Sequence, residues 1–117
     1  MTENKITNRV TAMTGTDYPI IPAPMGWIAR APLVSAVSNA GAMGIIETAS
    51  GELDIIRAEV LAMAGLTNKP FGINVALSYV KGSNIIDFVI DQGVTFVTTS
   101  SGSPSVCTKI FQQAGIK

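Results

Sequence analysis

Four short stretches collect the residues able to do chemistry, and each follows a brief apolar run. They are Ala23-Pro24-Met25-Gly26-Trp27, Glu47-Thr48, Asn74, and Thr98-Thr99-Ser100-Ser101-Gly102. The set holds a carboxylate, an amide, several hydroxyls, backbone N–H groups near glycines, a thioether and an indole. The 117 residues contain no histidine and a single cysteine, Cys107. Cysteine–histidine nucleophilic catalysis, serine triads and histidine-based metal sites are therefore not available to these residues. The set is better suited to gripping a flat, neutral-edged heterocycle through backbone donors and one amide, between apolar walls.

The elements that must position these residues follow from the apolar runs themselves. Pro19–Ala23, Gly44–Ile46, Phe71–Val75, Thr95–Thr99 and a stub at Ile116-Lys117 read as strands, spaced at roughly 20 to 30 residues as βα units are. None alternates cleanly between apolar and polar, as expected of parallel strands covered on both faces. Helix punctuation fills the gaps. Pro32 suits a first helical turn ahead of Leu33, Val34, Val37 and Ala40, with Gly41 as the stop. Leu53, Ile56, Val60 and Met63 form one stripe, flanked by Arg57 and Glu59, with Asp54 lying well away from it. Ser83 is expected to cap a helix that buries Ile85, Ile86, Val89 and Ile90, leaves Asp87 and Asp91 wet, and stops at Gly93. Ser103-Pro104 opens a fourth helix with Val106, Cys107, Ile110, Phe111 and Ala114 inward, and Gly115 ends it. Ile6 to Thr16 reads as a short helix or turn near the bottom of the sheet.

The order β-α-β-α-β-α-β-α predicts a parallel α/β sheet, either doubly wound and open or part of a (β/α)8 barrel. In both, ligands bind beyond the carboxyl ends of the strands, which is where the four stretches lie. The first turn has no G-x-G-x-x-G to cradle a pyrophosphate, which argues against a dinucleotide-binding sheet.

Composition narrows the function classes. Eight Lys plus Arg balance eight Asp plus Glu. This argues against a nucleic-acid binder or a polybasic membrane module. Apolar residues make up 47% and charged residues 14%, against roughly 25% charged in ordinary domains. A small independent domain has proportionally more surface and should carry more charge, so the chain reads as part of a larger core. Positive mean hydropathy (+0.39) excludes disorder. The lone cysteine suits a reducing cytoplasm, and Met1 to Ile6 lacks the pattern of a signal peptide. Ala31 to Ala49, the most apolar window, reads as helix, turn and strand rather than a membrane span.

Four motifs resemble one family. They are Pro19-Ile-Ile-Pro-Ala-Pro-Met-Gly26, Ser35-Ala-Val-Ser-Asn-Ala-Gly-Ala-Met-Gly-Ile-Ile46, Leu66-Thr-Asn-Lys-Pro-Phe-Gly-Ile-Asn-Val75 and Asp91-Gln-Gly-Val-Thr-Phe-Val-Thr-Thr-Ser-Ser-Gly-Ser-Pro104. The family is that of the nitronate monooxygenases, related to flavin-dependent enoyl-acyl-carrier-protein reductases. The resemblance implies an FMN-dependent TIM-barrel oxidoreductase, of which residues 1–117 supply the N-terminal half, about the first four βα units. It places Ala23, Pro24, Met25 and Gly26 at the isoalloxazine, Asn74 at the flavin edge or phosphate, and Thr99, Ser100, Ser101 and Gly102 on the substrate side. Pro24-Met25-Gly26 tilts the reading towards the nitronate branch. The family's glycine-rich segment, often carrying a catalytic histidine, is expected beyond Lys117, so no catalytic residue and no metal ligand is assigned here.

Plainer roles stand beside these. Met25 can fill core, Asn74 can bond turn backbone, and the hydroxyls of Thr98 to Ser101 can cap the next helix. Trp27 walls the pocket or covers the barrel end. Glu47, where many members have a small residue, is read as solvated at the rim, Cys107 as an inert core thiol, and Lys81, Lys109 and Lys117 as surface. The expected function is oxidation of alkyl nitronates by dioxygen. The alternatives are NAD(P)H-dependent reduction of an enoyl thioester, or a non-catalytic half-barrel that self-associates through its open sheet edges.

Overall fold

β1 (Gly44–Ile46), β2 (Phe71–Ala76) and β3 (Val97–Ser100) form a parallel sheet in the order β1-β2-β3. This is a computed structural model, and it describes residues 5–79 and 84–117; the expected Ser83 cap and the surface reading of Lys81 lie outside the described residues. The register sets Ile46 beside Ile73, Asn74 beside Thr98 and Ala76 beside Ser100. Helices α3 (Leu53–Leu66) and α4 (Asn84–Asp91) make the crossovers between the strands.

Alternation along the strands divides the core in two. Ile46, Ile73 and Val75 face the helices and pack with Ile56, Val60 and Met63 of α3 and Ile85, Phe88 and Val89 of α4. Met43, Ile45 and Phe96 form a separate cluster on the other face. Gly72 belongs to that second face, since a Cβ there would stand 2.6 Å from the Phe96 carbonyl oxygen and 3.0 Å from Ile45 Cδ1. Two steps on, the same face carries Asn74. Each strand thus presents an apolar side to the helices, and β2 and β3 turn polar on the opposite side towards their carboxyl ends.

The helix punctuation matches closely. α2 (Ala31–Asn39) starts with Pro32 in its first turn and is followed by Gly41 at φ 95°. α3 buries Ile56, Val60 and Met63, and Glu59 reaches across to accept the Ala31 N–H at 2.7 Å, capping the start of α2. Ala31 to Ala49 is indeed helix, turn and strand, and among the described residues no helix is long and apolar enough to cross a membrane. α1 (Arg9–Thr14) is capped by Asn8, whose side chain accepts two backbone N–H groups. Gly15 after it approaches Pro70 at the start of β2, which puts α1 at the bottom of the sheet.

Two expectations need correction. Pro19–Ala23 forms no strand: the segment makes one sheet-like bond, from Met43 N–H to the Ile20 carbonyl at 3.0 Å. Pro19 and Pro22 have no N–H to donate, so the ladder cannot extend. The fourth helix is also broken. A 3₁₀ turn, Pro104–Val106, precedes α5 (Thr108–Gln113), and the tighter turn shifts the helical phase. Cys107 and Phe111 are buried as expected, but Val106, Ile110 and Ala114 are exposed. Ile116-Lys117 runs beside β3, with Lys117 N–H donating to the Thr95 carbonyl and Val97 N–H to the Lys117 carbonyl.

Candidate functional site

The site grows from the way β2 outruns β1. β1 ends at Ile46, so the β1-facing groups of β2 beyond it, the Asn74 carbonyl and the Ala76 N–H, have no strand to meet. Thr48 takes the strand's place. Its hydroxyl donates to the Asn74 carbonyl at 2.7 Å and accepts the Ala76 N–H at 3.0 Å. Thr48 has no exposed surface, so this bridge operates where water cannot substitute. It holds the backbone around Asn74 straight to the end of the strand.

The Asn74 side chain is 3% exposed and faces two hydroxyls of β3. Nδ2 donates to Ser100 Oγ at 2.9 Å, and Oδ1 accepts from Thr98 Oγ1 at 2.8 Å. An amide has two N–H bonds and two acceptor sites, so one of each remains for a ligand. Of the residues expected on the substrate side, Ser100 is thus drawn to Asn74. Thr99 points elsewhere: it lines a cavity on the opposite side of β3 with Val97, Thr108 and Phe111. Ser101 takes φ 52°, and its carbonyl accepts from the Ser78 hydroxyl. A Cβ on Gly102 would stand 2.8 Å from Leu77 Cβ, so the loop after β3 is seated directly on the loop after β2.

The loop expected at the ring is open. Ala23 and Met25 are exposed, and Pro24 and Gly26 are half-buried. Met25 anchors a turn by accepting the Ile28 and Ala29 N–H groups on its carbonyl. A Cβ on Gly26 would make only an ordinary 3.6 Å contact with Ala49, so the fold itself leaves room there. Trp27 sits at φ 66° and is 63% exposed.

The carboxylate departs from expectation. Glu47 is not solvated at the rim; it has no exposed surface. Its Oε1 accepts Arg30 Nε at 3.2 Å and Nη2 at 3.1 Å, and its Oε2 accepts the Ser50 N–H at 3.0 Å. Burial without water requires such pairing. Arg30, Thr48 and Thr98 thus join the site beside the residues expected from the sequence. Arg30 and Glu47 are 17 positions apart and share no local spacing rule, so no sequence signal joins them. Thr48 and Thr98 lie within the strand-end stretches, but nothing in their spacing singles them out. Cys107 is buried, its thiol pushed up from the ordinary value of 9.0 by desolvation, as an inert core thiol should be.

These features define a class: a parallel α/β barrel segment with an amide and hydroxyls bonded together at the carboxyl ends of β2 and β3, and an open turn whose Gly26 lies beside Ala49 after β1. The chain belongs to the nitronate monooxygenase family, whose model matches residues 7–107. It is 35% identical over 73% of its length to a Mycobacterium tuberculosis "(3aS,4S,5R,7aS)-5-hydroxy-7a-methyl-1-oxo-octahydro-1H-indene-4-carboxyl-CoA dehydrogenase", covering 24% of that protein. It is 41% identical over 59% of its length to a nitronate monooxygenase of Pseudomonas aeruginosa, covering 20% of it. The structure of FabK from Thermotoga maritima superposes with a TM-score of 0.90 at 29% identity, over 96% of this chain and 36% of that one. A nitroalkane oxidase from Streptomyces ansochromogenes shares the fold, with a TM-score of 0.74 at 21% identity over 91% of this chain and 40% of that one. The chain therefore carries part of a (β/α)8 barrel and spans about a quarter or less of the length of these curated relatives.

Proposed function

We propose that residues 1–117 form part of an FMN-binding barrel that oxidises alkyl nitronates with dioxygen. The observation carrying this reading is the buried, half-engaged Asn74 amide at the end of β2, and the open Ala23–Gly26 turn beside Ala49 supports it. The residues fit the group. The amide keeps one donor and one acceptor for a polar ring edge. Gly26 leaves space for a planar ring to approach the backbone, with no neighbour nearer than Ala49 to a would-be Cβ.

Ala23, Pro24, Met25 and Gly26 would pack on the ring, with their peptide groups turned to its edge, and Asn74 would orient it. Bound FMN supplies the redox chemistry, with the nitronate oxidised and dioxygen reduced. Ser100, Ser101 and Gly102 would line the substrate side next to Asn74, whereas Thr99, on the other face of β3, drops out of that role. No proton-transfer group is assigned among these side chains.

The 35% identity to a relative named as a carboxyl-CoA dehydrogenase favours a thioester substrate, and the likeness to FabK favours one second reading in which NAD(P)H is the electron donor that reduces such a thioester. Oxygen uptake with an alkyl nitronate, measured beside NAD(P)H oxidation with an acyl thioester, separates the two. Nitronate-dependent uptake supports the first reading; neither activity in flavin-loaded protein ends both.

A further inference from the structure

Among the described residues, Glu47 is the one charged side chain with no exposed surface, and the flavin reading gives it no role. Both of its oxygens are occupied: Oε1 by Arg30 Nε and Nη2, Oε2 by the Ser50 N–H. Its charge is thus held by Arg30 and a backbone N–H in a place without exposed surface. Arg30 is no anion site, since Glu47 at 3.1 Å and Glu52 at 3.7 Å already neutralise it. The guanidinium also offers its planar face, and that face lies over the Trp27 ring, 5.2 Å from the centroid.

Trp27 needs holding. Its backbone is in the left-handed region at φ 66°, which bulky side chains disfavour, and 63% exposure means little packing restrains the indole. The turn that bears it is tied down just beyond, where Glu47 N–H donates to the Ala29 carbonyl at 3.0 Å. Backbone and side chain of Glu47 thus grip the same turn at two points, and Arg30 carries the grip out to the ring.

We propose that Glu47 and Arg30 are positioning residues: the buried carboxylate fixes the guanidinium, the guanidinium fixes the Trp27 indole, and with the Glu47 N–H bound to the Ala29 carbonyl they hold the turn from Met25 to Ala29 in its ligand-ready shape. The identity of that ligand as FMN rests on the function proposed above, whereas the hold on Trp27 does not.

Trp27 is the only tryptophan in the sequence, so its near-ultraviolet circular dichroism and fluorescence anisotropy report on the indole directly. The variants are Glu47→Gln, Arg30→Lys and the double Arg30→Met/Glu47→Gln. The double variant removes both charges together and leaves neither buried alone. In protein whose far-ultraviolet spectrum is unchanged, the double variant should lose at least half of the tryptophan dichroism and show lower anisotropy. Its FMN dissociation constant should rise about tenfold through loss of a preorganised turn. Arg30→Lys keeps the charge but not the planar face, so it should restore stability without restoring the tryptophan signal. Unchanged Trp27 signals in a folded double variant would overturn the proposal, as would altered signals with an unchanged FMN constant. If the wild type binds no FMN, the flavin reading fails, and the Trp27 signals alone decide whether Glu47 and Arg30 hold the turn.

Discussion

Replacing Thr48 by valine removes one hydroxyl and keeps the shape, yet it should cost far more than a surface change. The hydroxyl satisfies two buried backbone groups at once, the Asn74 carbonyl and the Ala76 N–H. Thr48 is fully buried, so water cannot replace it, and β1 ends too early to do so. Leaving a buried polar group unsatisfied costs about 1–3 kcal/mol, so two cost roughly 2–6 kcal/mol. With a urea slope of about 2 kcal/mol/M for a domain of this size, the unfolding midpoint should fall by about 1–3 M. Thr48→Ser keeps the bridge and forfeits one buried methyl, at about 1 kcal/mol. Urea titrations followed by circular dichroism on the three proteins decide the matter. A valine variant within about 0.5 kcal/mol of wild type, or a serine variant less stable than valine, would refute the claim that this hydroxyl stands in for a strand.

Gly102→Ala should destabilise by about 1–2 kcal/mol, because the added methyl would lie 2.8 Å from Leu77 Cβ and must push two loops apart; thermal unfolding measures it. The Cys107 thiol predicts a pH dependence. Its pKa is raised in the folded protein, so above about pH 9 the unfolded chain has lost a proton that the folded chain keeps. Stability should therefore fall as pH rises from the ordinary cysteine value towards the folded one, and be fully present below it. Urea midpoints at increasing pH should show this fall in wild type and a shallower one in Cys107→Ala; parallel profiles would contradict it.

The parts of the fold that were legible in the sequence are those set by local physics. Pro32, Gly41 and Gly93 mark helix ends because their backbone restrictions act within a turn or so. Ile56, Val60 and Met63 reveal a buried stripe because helical periodicity is itself local. The Pro19–Ala23 segment misled because apolar content suggested a strand while two prolines removed the donors a strand needs. Val106 and Ile110 misled because one helical phase was carried through a 3₁₀ turn that breaks it. Asn74 and Ser100 were legible as strand-end residues, and the structure bonds the two together. Thr99 was not, since only the strand's pleat decides which of two neighbouring hydroxyls faces the amide. Glu47 looked solvated because its partner Arg30 lies 17 residues back, on the far side of a helix.

The low charge of the chain has the same origin. A three-stranded parallel sheet with helices packed on one face and a second apolar cluster on the other is built as interior. Gly26 offers the most direct test of what that interior holds. In this fold a Cβ there meets only Ala49 beyond its chain neighbours, at an ordinary 3.6 Å, which makes a folded Gly26→Leu variant a direct probe of the space beside the turn. The decisive measurement is an FMN titration, read by the visible flavin spectrum, of the protein carrying this chain and of its Gly26→Leu variant. Saturable binding that weakens at least about tenfold in the folded variant is the predicted result, since the leucine would occupy the ring's place. Absence of binding to the wild type, or equal binding to both, would contradict a flavin seated on the Ala23–Gly26 turn.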